Sequence, residues 1–319
     1  MSAHKELTPG PKRSTSSRSL LLRFTLFVLS VAVVAGASAL TGEKTAPKLE
    51  FNPVENWPTW PDKVPRGGIS GIAVDGRDNV YLLHRIKPYV LVFDKSGKHI
   101  RSWDGDFKTP HGLRIDADGN VWIADMANHL VQKFTPEGKL LLSLGQKDKP
   151  GLASDQFNKP ADVGFGPDGE FYVADGYGNS RIAKFSKHGK FVQDWGVKGK
   201  GESQFNIPHV VMLDAKNRVI VGDRENLRVQ IFDRTGKFVQ QWTDTGAPYG
   251  LHLFKDRVYL ADGRKGTIRV LNSDGKLLAR WEGSDKAKET PHWITVDSQG
   301  AVYVGFVSGK KIQKWVQKS

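Results

Sequence analysis

The 319-residue sequence contains no cysteine. No disulfide can brace the chain, so the fold must stand on its hydrophobic core, which a chain of this length can make large enough. Long apolar runs are missing too, apart from one near the N-terminus, Phe24 to Leu40. Acidic residues are in deficit, 34 against 47 lysines and arginines, for a formal charge of +13. Residues 1–23 account for +4 of that and leave +9 on the remainder. Much of the remaining excess sits one residue after a turn glycine, at Lys98, Lys139, Lys190, Lys237 and Lys276. A regularly spaced, solvated lysine discourages edge-to-edge pairing of sheets. The tryptophans end strands and do not alternate with these cations as base-stacking platforms would. Nucleic acid is therefore not expected as a partner.

The apolar run follows Lys5, Lys12, Arg13, Arg18 and Arg23, and small residues close it, Ala35-Gly-Ala37 and Ala37-Ser-Ala39. Basic, apolar and small-residue regions in that order make a secretory signal peptide. Counted to Leu40 the run has 17 residues, the short limit for a membrane span, and the long basic leader keeps an uncleaved anchor as the alternative. Residues 1–39 are expected to be a signal peptide or membrane anchor. Either way the rest is exported, periplasmic or secreted, and meets a membrane only if the segment is uncleaved.

The remainder is repetitive. One unit runs Ser70-Gly-Ile-Ala-Val-Asp75, Asn79-Val-Tyr-Leu82, Val90-Leu-Val-Phe93 and Ile100-Arg-Ser-Trp103. Five more units start near His111, Ala161, His209, Tyr249 and His292. Each complete unit holds four short runs of Val, Ile, Leu, Phe and Trp separated by turn pairs such as Asp-Gly, Ser-Gly and Thr-Gly. Units of about 40 residues with four strands each predict a β-propeller, here all-β and six-bladed. The last unit stops after Lys311-Ile-Gln-Lys-Trp315 without a fourth strand. The segment Leu49 to Trp57 is expected to supply it, closing the ring and removing two exposed sheet edges. Residues 40–68 are then linker and ring-closing strand, and 69–319 the propeller.

Three Pro-His pairs, Pro110-His111, Pro208-His209 and Pro291-His292, occupy one position in alternate repeats. In a closed ring their imidazoles converge on the axis about 120° apart, and three histidines that leave a fourth position open are how a catalytic zinc site is built. The starts of the inner strands and the ends of the second strands share one rim. That rim also carries Arg85, Arg224 and Tyr177, which depart from the repeat consensus, and such departures are where function is grafted. The bland reading is a polar lining for a watery channel, which one histidine would fit and three in strict alternation do not. His84, His129, His188 and His252 sit elsewhere in the repeat and read as ordinary polar positions. Asp125, Asp175, Asp223 and Asp262 end second strands and read as turn-capping carboxylates.

Pro110-His-Gly-Leu113, Asp175-Gly-Tyr-Gly-Asn-Ser-Arg181, Gln204-Phe-Asn-Ile-Pro-His209 and Asp223-Arg-Glu-Asn226 resemble peptidyl-α-hydroxyglycine α-amidating lyase, and the repeats resemble NHL repeats. The resemblance spans roughly Ile69 to Trp315. It implies zinc on His111, His209 and His292, Tyr177 as catalytic base, Arg85 as the arginine that positions the substrate, and Arg224 beside the tyrosine. The implied substrate is a peptide or small molecule with an α-hydroxy amide, cleaved at its C–N bond to an amide and glyoxylate. A phenol near two arginines and a dication is expected to have a lowered pKa. The resemblance also implies a structural calcium on the carbonyls of Ile72 and Leu113, but its carboxylate is replaced by Trp293, which argues against calcium. The disulfides of that family are absent as well, Gly178 standing at one cysteine position, and so is a monooxygenase domain. Two other readings stay open: a non-catalytic NHL propeller that binds a protein or polysaccharide, and a lactonase-type propeller, which would need carboxylate and asparagine ligands at the channel.

Overall fold

The computed structural model describes residues 49–283 and 289–318, all within one unit, Ala46–Ser319. The expectations for residues 1–39, and for 40–48 of the linker, lie outside the described residues. Among those described there is no helix; the chain forms six four-stranded antiparallel sheets and one two-stranded ribbon. The innermost strands are Ile69–Val74, Pro110–Ile115, Asp162–Phe165, Pro208–Leu213, Pro248–Phe254 and Pro291–Val296. Each lies against the next, and the first also lies against the last, so the six sheets form a closed ring. In the first five sheets the strands follow outward in chain order. In the sixth, Phe51–Val54 is outermost and pairs antiparallel with Lys311–Gln317, Phe51 opposite Gln317 and Val54 opposite Lys314.

Burial follows strand position. Second strands such as Val80–His84 and Phe171–Asp175 are buried at every residue because neighbouring sheets cover both faces. Outer strands such as Phe191–Trp195 alternate between half-buried and exposed residues, the period of a strand with one free face. The apolar clusters lie between adjacent blades: Leu82 and Phe93 of the first sheet pack with Tyr303 and Ile312 of the sixth. Tryptophans that end outer strands complete these joints. Trp103, Trp195 and Trp242 each reach the turn glycine of the next blade, where a Cβ on Gly138, Gly236 or Gly275 would lie 2.6, 2.8 or 2.3 Å from the indole. Those glycines also have φ of 92°, 81° and 82°, so contact and backbone both require glycine.

The two-stranded ribbon is parallel, Val197–Lys198 with Gln204–Phe205, in the connection between the third and fourth sheets. The sequence reading did not anticipate it. Lys198-Gly-Lys-Gly201 carries turn signals and no hydrophobic alternation, so only its place between two blades pairs it.

Candidate metal centre and active site

The three histidines owe their direction to a backbone irregularity. Each is the second residue of its inner strand, and in each case the pairing register shifts across it, between Pro110 and Gly112, Pro208 and Val210, and Pro291 and Trp293. A bulge of this kind leaves one residue unpaired and re-aims its side chain. The preceding proline suits the site because it brings no N–H that would need a partner. His111, His209 and His292 are buried, and their candidate ligand nitrogens all lie within 4.8 Å of one another. Ligation at Zn–N distances of about 2.0–2.1 Å would bring such nitrogens closer, to roughly 3.4 Å in a tetrahedral set. The set, spread over as much as 4.8 Å, is thus wider than ligation would leave it.

The other three inner-strand starts have a purpose the sequence did not disclose. Their carbonyls accept the histidine Nδ1–H groups: Ala161 from His111 at 2.8 Å, Tyr249 from His209 at 2.6 Å, and Ser70 from His292 at 3.0 Å. Each imidazole is held by the next blade. A carbonyl can only accept, so every Nδ1 carries the proton and every Nε2 presents a lone pair. Burial lowers the pKa of all three rings. For His111 the neighbouring His292 adds most, for His209 it is His111, and Arg85 and Arg224 contribute further. His292 is brought down to about 3, by burial first and Arg85 second. The triad is neutral at physiological pH.

Tyr177 stands over this cluster. Its hydroxyl lies 3.0 Å from Nε2 of both His111 and His209 and accepts Nη1–H of Arg224 at 2.8 Å. One phenolic proton serves one imidazole, while His292 Nε2 has no hydrogen-bond partner among the described residues. Two lone pairs are left without a donor, a set of convergent buried acceptors that a cation would satisfy. The donor set, its tautomers and its convergence therefore fit a metal ion.

Hydrogen bonds place Tyr177 in the repeat more clearly than residue counting does. Its N–H donates to the carbonyl of Lys159 at 3.3 Å, as Arg85 does to Gly68 at 3.2 Å and Arg224 to Ile207 at 3.1 Å. Arg85, Tyr177 and Arg224 thus share one rim position in the first, third and fourth blades. Asp175 fixes the tyrosine loop by accepting Asn158 N–H at 2.9 Å, Asn179 Nδ2 at 2.6 Å and Arg181 Nε at 3.0 Å. Gly176 has no room for a side chain, since a Cβ there would lie 2.0 Å from the carbonyl of Pro208. Asp223 acts likewise towards Asn206, Asn226 and Arg228. These are the capping roles expected of the repeated aspartates.

The two arginines differ. Arg224 is committed: Nε donates to Glu225 at 2.8 Å, and its guanidinium lies 5.0 Å from the Tyr177 ring and 4.8 Å from the Tyr249 ring. Arg85 is exposed as a residue, yet partial desolvation of its guanidinium lowers its pKa, and the guanidinium has no hydrogen bond or ion pair among the described residues. In the metal-free site burial raises the pKa of Tyr177, outweighing Arg224 and Arg85, so the lowering expected beside a dication would have to come from the cation itself. Tyr249, which the sequence left without a role, holds His209 through its carbonyl and Arg224 through its ring; a Cβ on Gly263 would meet that ring at 2.4 Å. Trp293 lies under the triad, 6.0, 6.3 and 6.0 Å from the ring centres of His111, His209 and His292. Two other histidines make structural hydrogen bonds: His84 binds the Pro88 carbonyl and Gly67 N–H, and His129 accepts Lys159 N–H at 3.1 Å.

Acid should destabilise the metal-free domain. His292 titrates near 6.5 when unfolded and about 3 when folded, so below pH 6.5 the unfolded chain binds the extra proton. Stability present above pH 6.5 is expected to fall steadily towards pH 3 in urea melts. A flat profile across that window would show that the ring is not buried neutral.

Fold and site together define a six-bladed propeller of the NHL-repeat class, and the NHL repeat family matches residues 107–134 and 157–185. Peptidyl-alpha-hydroxyglycine alpha-amidating lyase 2 of Drosophila melanogaster is 31% identical over 79% of this chain and 71% of its own length. NHL repeat-containing protein 3 of Mus musculus is 35% identical over 77% and 78%. The mouse peptidyl-glycine alpha-amidating monooxygenase is 33% identical over 75% of this chain, which spans 29% of that protein's length. A streptogramin B lyase structure shares the fold at a TM-score of 0.61 and 16% identity, covering 85% of this chain and 98% of that one. The chain belongs to the peptidyl-α-hydroxyglycine α-amidating lyase family of NHL-repeat propellers.

Proposed function

We propose that this protein is a zinc-dependent carbon–nitrogen lyase that splits a peptidyl-α-hydroxyglycine-type carbinolamide into a primary amide and glyoxylate. The observation that carries the reading is the triad: three neutral imidazoles whose Nδ1 protons are tied to backbone and whose Nε2 lone pairs converge. His111, His209 and His292 would hold the zinc, which supplies a Lewis acid for the substrate's hydroxyl oxygen. The lyase names of relatives support the reaction class. Export as a periplasmic or secreted domain belongs to the same proposal and rests on residues 1–39 alone.

Tyr177 takes the hydroxyl proton. The oxygen's electron pair forms the carbonyl of glyoxylate, the C–N pair leaves with nitrogen, and nitrogen takes up a proton to become the amide. Arg224, fixed by Glu225, orients the phenol and stabilises its anion. Because burial alone holds the Tyr177 proton tightly, the phenol becomes a competent base only with added positive charge on the triad. Arg85, uncommitted and exposed, takes the substrate carboxylate as a planar fork. Calcium forms no part of the proposal, since Trp293 stands where the resemblance would place its carboxylate.

Metal analysis of the purified domain, followed by glyoxylate release from an α-hydroxyglycine peptide, tests the reading. About one zinc per chain and stoichiometric glyoxylate are expected. Protein that neither carries nor takes up a transition metal would favour the second reading, a non-catalytic scaffold, which the 35% identity to NHL repeat-containing protein 3 keeps in view. Arg85→Ala should raise KM by roughly 10- to 100-fold, the scale of one charge-assisted hydrogen bond, and leave zinc content unchanged. An unaltered KM would move the carboxylate elsewhere.

A further inference from the structure

Directly below Trp293 a buried ion pair crosses the channel. Arg114, 8% exposed, donates Nε–H to Asp162 Oδ1 at 3.0 Å and Nη2–H to Oδ2 at 2.8 Å, and Asp162 is fully buried. Nη1 of Arg114 donates to the Leu251 carbonyl at 3.3 Å, and Asp162 Oδ2 accepts the Val211 N–H at 3.1 Å. The guanidinium carbon lies 4.9 Å from the centre of the Trp293 ring. Arg114, Asp162, Val211, Leu251 and Trp293 belong to the second, third, fourth, fifth and sixth sheets. One guanidinium–carboxylate pair therefore ties five blades together across the axis, beneath the three histidines.

Stability does not explain this arrangement. A buried ion pair rarely gains more than its desolvation costs, and apolar residues of similar volume often do as well. What the pair does achieve is to fix one indole. Trp293 is nearly equidistant from the three imidazoles and stacked on His292 at 27°. Its Cη2 lies only 3.1 Å from where a Cβ on Gly112 would be. The guanidinium lies over the indole. Beyond the pair, a cavity of about 180 Å³ that includes His252 and Thr295 in its lining follows, so the indole and ion pair separate the triad from that cavity.

We infer that Arg114, clamped by Asp162, is a positioning residue for the metal site, holding Trp293 as the floor that keeps the three imidazoles convergent. The inference rests on the reading of the triad as a zinc site. Its test uses the full exported domain with Arg114→Lys, which keeps the charge but loses the fork, and the double variant Arg114→Met/Asp162→Asn, which leaves no buried unpaired charge. Both are expected to keep the melting temperature within several degrees. Zinc affinity should fall by about tenfold or more, the scale seen when supports of metal ligands are removed, and kcat should fall with KM little changed.

Wild-type zinc affinity and kcat in both variants would overturn the inference. Should the double variant fail to fold, Arg114→Lys decides alone, and wild-type zinc affinity there overturns it. Wild-type protein that takes up no metal would end the zinc reading by itself. The floor is then judged from ¹⁵N spectra of the metal-free histidines. Three Nδ1–H tautomers in the wild type and mixed tautomers in Arg114→Lys would uphold it; identical spectra would overturn it.

Discussion

Alanine at His111, His209 or His292 is expected to abolish stoichiometric zinc and to lower glyoxylate release by about three orders of magnitude or more. Two imidazoles do not make a closed ligand set, and the missing ring leaves a backbone carbonyl, Ala161, Tyr249 or Ser70, without its donor. The three substitutions should be equivalent in zinc content, because the sites are equivalent by repeat position. His209→Ala removes ring contacts to both Tyr177 and Tyr249, whereas His111→Ala removes one to Tyr177 and His292→Ala one to Tyr249. Zinc content and turnover measured together across the three variants check the prediction. Full activity in any one of them would remove that histidine from the centre.

Tyr177→Phe is expected to retain fold and zinc and to lose turnover by roughly 10²-fold or more, the usual scale for removing a general base. The phenylalanine keeps the ring that Arg224 covers at 5.0 Å and removes the one hydroxyl that bridges His111 and His209. The pH profile adds a second readout. With Tyr177 as the base, kcat of the metal-loaded protein should rise with pH as the phenol loses its proton, and that rise should disappear in the variant. Equal turnover in wild type and Tyr177→Phe would keep the lyase and discard this base.

Arg85 and Arg224 illustrate how equivalent repeat positions diverge. Both follow the last residue of a second strand and share one backbone hydrogen bond with the entering loop. In the fourth blade the next residue is Glu225, which ties Arg224 down at 2.8 Å; in the first it is Ile86, and Arg85 stays free. The neighbouring carboxylate holds one arginine in place and leaves the other without an ion pair among the described residues.

The amino-acid sequence by itself determined the six repeats, the four strands of each and the alternation of Pro-His pairs, because these features are periodic and local. Hydrophobic runs and turn glycines set strand by strand what each segment can do, and a closed ring then follows from their number. The rim residues Arg85, Tyr177 and Arg224 were legible for the same reason, as breaks in a pattern. Tertiary structure alone decided how the histidines are aimed. The bulge at each Pro-His pair, and the carbonyl from the next blade that fixes each Nδ1, depend on which strand lies beside which. It also decided the sign of the Tyr177 pKa shift in the metal-free site, since desolvation is set by what surrounds the phenol. Trp293 under the triad, and Arg114 reaching Asp162, Leu251 and Trp293 across the axis, join residues up to 182 positions apart in the sequence. No local pattern records such contacts, because they exist only once the ring has closed.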